Sequence, residues 1–135
     1  MDRLASGYEP RFDIDVAVGR RGEEYVLEHF SASHEVKNDA KSRVTGNVYI
    51  EYGQRRSGQE DYRDSGIRTS EAEFWTYVIG KVIISAPMAN WREMVERIIV
   101  AEPGLIREML RGSNPTMGVI VPIDSLTQRL NEANL

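Results

Sequence analysis

HEVKNDAKSRVTGNVYIEYGQ, residues 34–54, reads as two short strands joined by a basic, glycine-containing turn. Along the second run, Val48, Ile50 and Tyr52 fall on one face of an extended chain, and Tyr49, Glu51 and Gly53 on the other. On the first run Glu35, Lys37 and Asp39 share a face. Thr45, Gly46 and Asn47 are good turn formers. The two strands are therefore expected to pair, with the basic residues of 41–43 at the hairpin tip. Asp39 then ends one strand and Glu51 occupies the middle of the other. In that arrangement both carboxylates reach one small volume, where a divalent cation lowers their mutual repulsion.

Around this stretch the composition is that of one ordinary globular domain over residues 1–135, with 41% hydrophobic and 28% charged residues. The absence of cysteine excludes zinc–thiolate sites, disulfides and thiol catalysis. No basic and apolar tandem resembles a leader, and no apolar run reaches membrane-spanning length. The expectation is a cytoplasmic protein, of a bacterium or a phage-infected host, with no membrane partner. A net charge of −4 argues mildly against an all-phosphate partner. Local charge matters more: Arg20, Arg21, Lys37, Lys41, Arg43, Arg55 and Arg56 gather around the proposed site. For any single one of these residues a solvated surface is the simpler reading.

Upstream, residues 1–18 read as an irregular arm and 19–30 as a helix with Val26, Leu27 and Phe30 as its buried stripe. Glu23 points with that stripe. An inward acid requires a cation or a donor, although the first turn of a helix favours an acid for its own reasons. Downstream, 53–68 is a polar, glycine-rich surface loop. Ser70 is placed to cap a short helix through Tyr77, with Glu73 at the capping-box position. Residues 77–85 read as a third strand whose glycine marks a bulge. Helices follow over about 90–100 and 105–110, then a fourth strand over 116–121 and a closing helix to Asn131. His29 and His34 have no partner at the spacing of a triad or a zinc site. GRRGEE matches no phosphate-loop pattern.

The order of a helix with an inward acid, a strand reaching Asp, a strand carrying Glu, and then a helix and a strand resembles the PD-(D/E)XK nuclease superfamily. Within it, the run EVKND … TGNVYIE … SGIRTSEAEFW is similar to small phage and bacterial nucleases akin to Holliday-junction resolvases. The resemblance covers about residues 19–85. It implies an α/β fold with a restriction-endonuclease-like core, a mixed central sheet of about four to five strands flanked by helices. It also implies Asp39 and Glu51 as the acids of the motif, Glu23 as the helix glutamate, and the Tyr52 carbonyl as a further ligand of Mg²⁺ or Mn²⁺. Two residues beyond Glu51 the pattern has lysine and this chain has Gly53. Lys37 is the stand-in, and Gln54 the weaker one.

The activity implied is metal-dependent hydrolysis of DNA phosphodiesters, with a homodimer as the acting form. Arg20, Arg21, Lys41, Arg43, Arg55 and Arg56 would hold flanking phosphates. Ser65 and Gly66 would add backbone N–H donors at a helix start. Two other readings stand beside it. One is an inactive nuclease-fold module that binds DNA or assembles with partners. The other is a soluble adaptor whose carboxylates make only surface hydrogen bonds.

Overall fold

A computed structural model describes residues 10–112 and 114–133, with side chains from residue 16 onward and without that of Arg111. The chain divides into two compact units, Met1–Ser33 and His34–Leu135.

The first unit contains helix α1, Pro10–Ser31. The helix therefore takes in residues 10–18, where an irregular arm is expected; residues 1–9 lie outside the described part. Its expected buried stripe is exposed: Val26 is 50%, Leu27 69% and Phe30 75% accessible. Glu23 is exposed with them, not turned inward.

The second unit is mixed α/β, and its strands fall in two sheets rather than one central sheet. Strands β1 (His34–Asn38), β4 (Phe74–Ile79) and β5 (Val82–Pro87) form a three-stranded sheet in the order β1-β4-β5. Its β1–β4 pair is parallel and its β4–β5 pair antiparallel. Strands β2 (Asn47–Gln54), β3 (Arg63–Asp64), β6 (Ile106–Arg111) and β7 (Asn114–Pro122) form an antiparallel sheet in the order β3-β2-β7-β6. Helices α2 (Ser42–Thr45), α3 (Met88–Ala101) and α4 (Leu126–Glu132) complete the unit.

The hairpin expected between the first two strands does not form. Residues 42–45 close into the one-turn helix α2, ended by Gly46 at φ 73, a left-handed conformation that glycine adopts without strain. The Asn47 N–H then donates to the Thr45 hydroxyl at 3.2 Å and launches β2. The helix separates the strands, so β1 pairs with β4 and β2 with β7.

Three other expectations change for local reasons. The aromatic and β-branched run of 74–79 is a strand, not the end of a helix from Ser70. Ser70 Oγ lies 3.4 Å from a Glu35 oxygen and from the Ala72 N–H. Gly80, at φ 63, sits in a two-residue hairpin loop between Ile79 and Val82 rather than at a bulge. In place of the helix expected over about 105–110, residues 106–111 form the edge strand β6 against β7. Gly112, at φ 63, belongs to that hairpin turn and not to a helix end.

The core lies between the inner faces of the two sheets and α3. Val48 and Ile50 of β2, Val119 and Val121 of β7, Trp75 and Tyr77 of β4, and Trp91, Met94, Val95 and Ile98 of α3 are all buried in one cluster. The expected stripe of α3 is thus core, as its spacing requires. Ile67, from the segment read as a polar loop, is fully buried there as well. The two sheets are tied where the Tyr77 hydroxyl of β4 donates to the Tyr49 carbonyl of β2 at 2.7 Å.

Candidate active-site cleft

Asp39 and Glu51 reach the same place by a different route from a hairpin. Lys37 and Asp39 at the end of β1, Tyr49 and Glu51 of β2, and Trp75 and Tyr77 of β4 line one cleft of about 230 Å³. Glu35 pairs with Trp75 and Lys37 with Tyr77 across β1–β4. Paired residues share a sheet face, so Lys37 stands on the side of the two large aromatic rings.

Each acid is held by a specific donor. Asp39 Oδ1 accepts the Lys41 N–H at 3.0 Å, an Asx turn that carries the chain into α2. Glu51 Oε2 accepts the Ser65 hydroxyl at 2.8 Å. Among the described residues no other side chain donates to either carboxylate, which leaves oxygens for a ligand in the cleft.

The SGI segment follows from this geometry. Ser65 fixes the Glu51 carboxylate, and Ile67 plugs the core. Gly66 lies so close to β2 at φ +55 that a Cβ there would overlap the Glu51 carbonyl. Arg92 of α3 holds the segment from the other side. Its Nε donates to the Ile67 carbonyl at 2.7 Å and its Nη2 to the Ser70 carbonyl. Arg68 adds a fork onto Glu96 of α3, at 2.9 and 3.1 Å, and lies 4.6 Å from the Tyr52 ring centroid. Burial pushes the Tyr52 hydroxyl above its ordinary pKa, against the pull of the Arg68 charge. Arg92 was not legible as part of the site, because no motif separates a loop-anchoring arginine from a surface one on a helix.

Ser65 and Gly66 were expected to offer backbone N–H groups at a helix start. The Ser65 N–H is already given to the Tyr52 carbonyl at 3.1 Å, and the turn that follows is three residues long. The contribution of Ser65 is its side chain. Tyr52 itself does not line the cleft.

Gly53 resolves the missing lysine in an unexpected way. Glu51 pairs with Gly118 and Gly53 pairs with Met117, so Tyr52 is an extra residue in β2. Such a bulge reverses the alternation. Because Met117 and Gly118 are consecutive on β7, Glu51 and Gly53 occupy opposite faces, not the shared face expected from the sequence. A Cβ at Gly53 would meet Tyr62 and Met117, on the side where Tyr62 bonds Glu108. A lysine there would point away from the carboxylates. Lys37 lines the cleft, with Nζ 3.6 Å from a Glu35 oxygen and 5.0 Å from the Trp75 ring centroid. Gln54, the weaker candidate, is exposed and pairs with Thr116 at the end of β2.

No family model, curated protein or solved structure matches the chain. The site is therefore read from its own chemistry.

Among the described residues no three groups drawn from His, Asp, Glu and Cys come together as a metal cluster. Glu23 lies on α1 in the first unit, as do Arg20 and Arg21, and all three are exposed. The donor set of the cleft is two carboxylates, all oxygen. That suits Mg²⁺ or Mn²⁺, which are commonly held by one or two carboxylates, with waters and substrate phosphate completing the shell. Of the expected phosphate contacts, Lys41, Arg43 and Arg56 are exposed. Arg55 is partly committed, donating to the Gln59 carbonyl at 2.8 Å and lying 5.7 Å from the Tyr62 ring centroid. No described helix is long and apolar enough to cross a membrane.

Proposed function

We propose that the chain is a divalent-metal-dependent deoxyribonuclease of the PD-(D/E)XK type, built on a restriction-endonuclease-like core and acting on branched or recombination intermediates. The observation that carries the reading is the convergence of Asp39, Glu51 and Lys37 on one cleft from strands in different sheets. Convergent acids beside a cation, framed by buried aromatic rings, are the parts that phosphodiester hydrolysis requires.

Asp39 and Glu51 would hold the ion, and the Ser65 hydroxyl fixes the Glu51 carboxylate through its hydrogen bond. When bound, Mg²⁺ or Mn²⁺ supplies polarisation of the phosphate and a water of lowered pKa. Lys37 balances charge on the phosphate or orients the attacking water. Trp75 and Tyr77, both buried, form one wall of the cleft. Lys41, Arg43, Arg55 and Arg56 position the flanking backbone, with a homodimer as the acting form.

The test is cleavage of supercoiled plasmid and of a four-way junction with Mn²⁺. Asp39→Asn and Glu51→Gln should each lower the rate by at least about 100-fold, the scale of losing a group essential to the chemical step. Cleavage that survives both substitutions rejects the reading. A second reading, a DNA-binding module without catalysis, is favoured by one observation: the Lys37 ammonium is drawn toward Glu35. Salt-sensitive binding with no cleavage would select it.

A further inference from the structure

Beside the carboxylate cleft lies a second one, of about 240 Å³, and the two share Asp39 and Tyr49 as a common wall. The far side of the second cleft is apolar, made by Met109 of the edge strand β6 and by Ile120 of β7, which share a sheet face with Tyr49. Its near rim is polar, with Lys41, Thr45 and Asn47 from the ends of α2 and β2. We infer that this second cleft is a nucleobase subsite, which takes one unstacked base of the strand whose phosphate lies at Asp39 and Glu51. The inference rests on the reading of the first cleft as the phosphodiester site.

Four observations point to this occupant. Continuity is the first: a ligand that fills both clefts passes Asp39, so it carries a phosphate and an apolar group about one wall apart, as a nucleotide does. Size is the second. The space is below the roughly 300–1,000 Å³ of a drug-sized ligand pocket, which fits one ring system and not a stretch of duplex. Lining is the third. A base offers a flat apolar face to Met109 and Ile120 and polar edges to Thr45 and Asn47, while the Lys41 ammonium meets the adjoining phosphate.

The fourth observation is the way the wall is made. Tyr49 is seated by Gly118, where a Cβ would come within 2.5 Å of the ring's Cζ, and by a 2.8 Å hydrogen bond from its hydroxyl to Thr116. The ring is therefore fixed between the two spaces. A base inside a paired duplex is stacked and cannot enter, so the subsite selects DNA with an unpaired nucleotide next to the scissile phosphate.

The test is equilibrium binding of the full chain, in EDTA, to three fluorescein-labelled DNAs: a paired duplex, the same duplex with one bulged thymine, and the same duplex with an abasic bulge. The bulged thymine should bind at least about 5-fold tighter than the abasic bulge, the low end of what one stacked base contributes. Ile120→Thr and Met109→Gln should erase that ratio and leave paired-duplex affinity unchanged. Both side chains are half-buried, and a thermal melt checks that the variants fold. Equal affinity for the thymine and abasic bulges, or a ratio that both variants retain, overturns the subsite and leaves the carboxylate site standing. Failure to bind any of the three DNAs, in EDTA and again with Ca²⁺ in its place, overturns both.

Discussion

A methyl group at position 66 is enough to unseat Glu51. Gly66 combines a left-handed φ of +55 with contact against the Glu51 backbone, so no rotamer or small shift relieves an added Cβ. Gly66→Ala should lower stability by about 2 kcal/mol or more, read as a fall in the urea midpoint. Ser65→Ala is the milder companion. It removes one hydrogen bond, worth about 1 kcal/mol, and frees the carboxylate to turn. Its rate should fall about 10- to 100-fold, as when a ligand-orienting partner is lost, with the melting temperature lowered by only about 2–5 °C. A rate equal to that of the parent chain would deny Ser65 its role. Asp39 and Glu51 were legible because each ends or interrupts a strand-like run with a charge that a core cannot take. The part of Ser65 was not, since a serine beside a glycine first reads as a turn.

At the scale of elements, strand faces decide the lysine. Alternation places residue 53 beside Glu51, and one extra residue at Tyr52 sends it to the opposite face. Sequence patterning does not show a bulge, because the partner strand that defines it, β7, lies more than sixty residues away. If Lys37 is the working cation, Lys37→Ala should abolish cleavage, and adding Gly53→Lys should not restore it. Restoration by the second change would show that position 53 reaches the carboxylates.

The missed strand β6 has a local cause, since it pairs with β7 through a tight hairpin. IREMLR carries helix formers, and only its pairing with β7 makes it extended. The last two helices meet through a fork in which Arg129 of α4 donates to both oxygens of Glu102, at 2.6 and 3.1 Å. Those hydrogen bonds hold the Glu102 carboxyl below the ordinary carboxylate range. The folded pKa is depressed, so the contribution is fully present above the ordinary carboxylate value and is lost as pH falls through the lowered one. The pair is largely exposed, and solvent screening limits it to about 0.5–1 kcal/mol. Arg129→Met should therefore reduce the urea midpoint at pH 7 and have little effect at pH 2.5. An equal loss at both values would mean that packing, not charge, joins these helices.

Across the whole molecule, the class was legible and the layout was not. Alternating strand and helix signals with an apolar stripe on α3 require a mixed α/β unit. They do not say that the seven strands of the described residues divide into two sheets, nor that β1 and β2, neighbours in sequence, belong to different ones. The stripe of α1 shows the same limit: its spacing is helical, yet Val26, Leu27 and Phe30 are exposed, because periodicity reports a face and not what covers it. The convergence of Asp39 and Glu51 survives the change of layout. The Tyr77 hydroxyl bridges the sheets at the Tyr49 carbonyl, beside the cleft that both acids line. The central claim is that these two carboxylates together grip a hard divalent ion. Electron paramagnetic resonance titration of Mn²⁺ into the parent chain, Asp39→Asn and Glu51→Gln tests it most directly. Saturable binding in the parent chain, lost in each single variant, is the expected result; binding absent from the parent chain, or unchanged in both variants, contradicts the account.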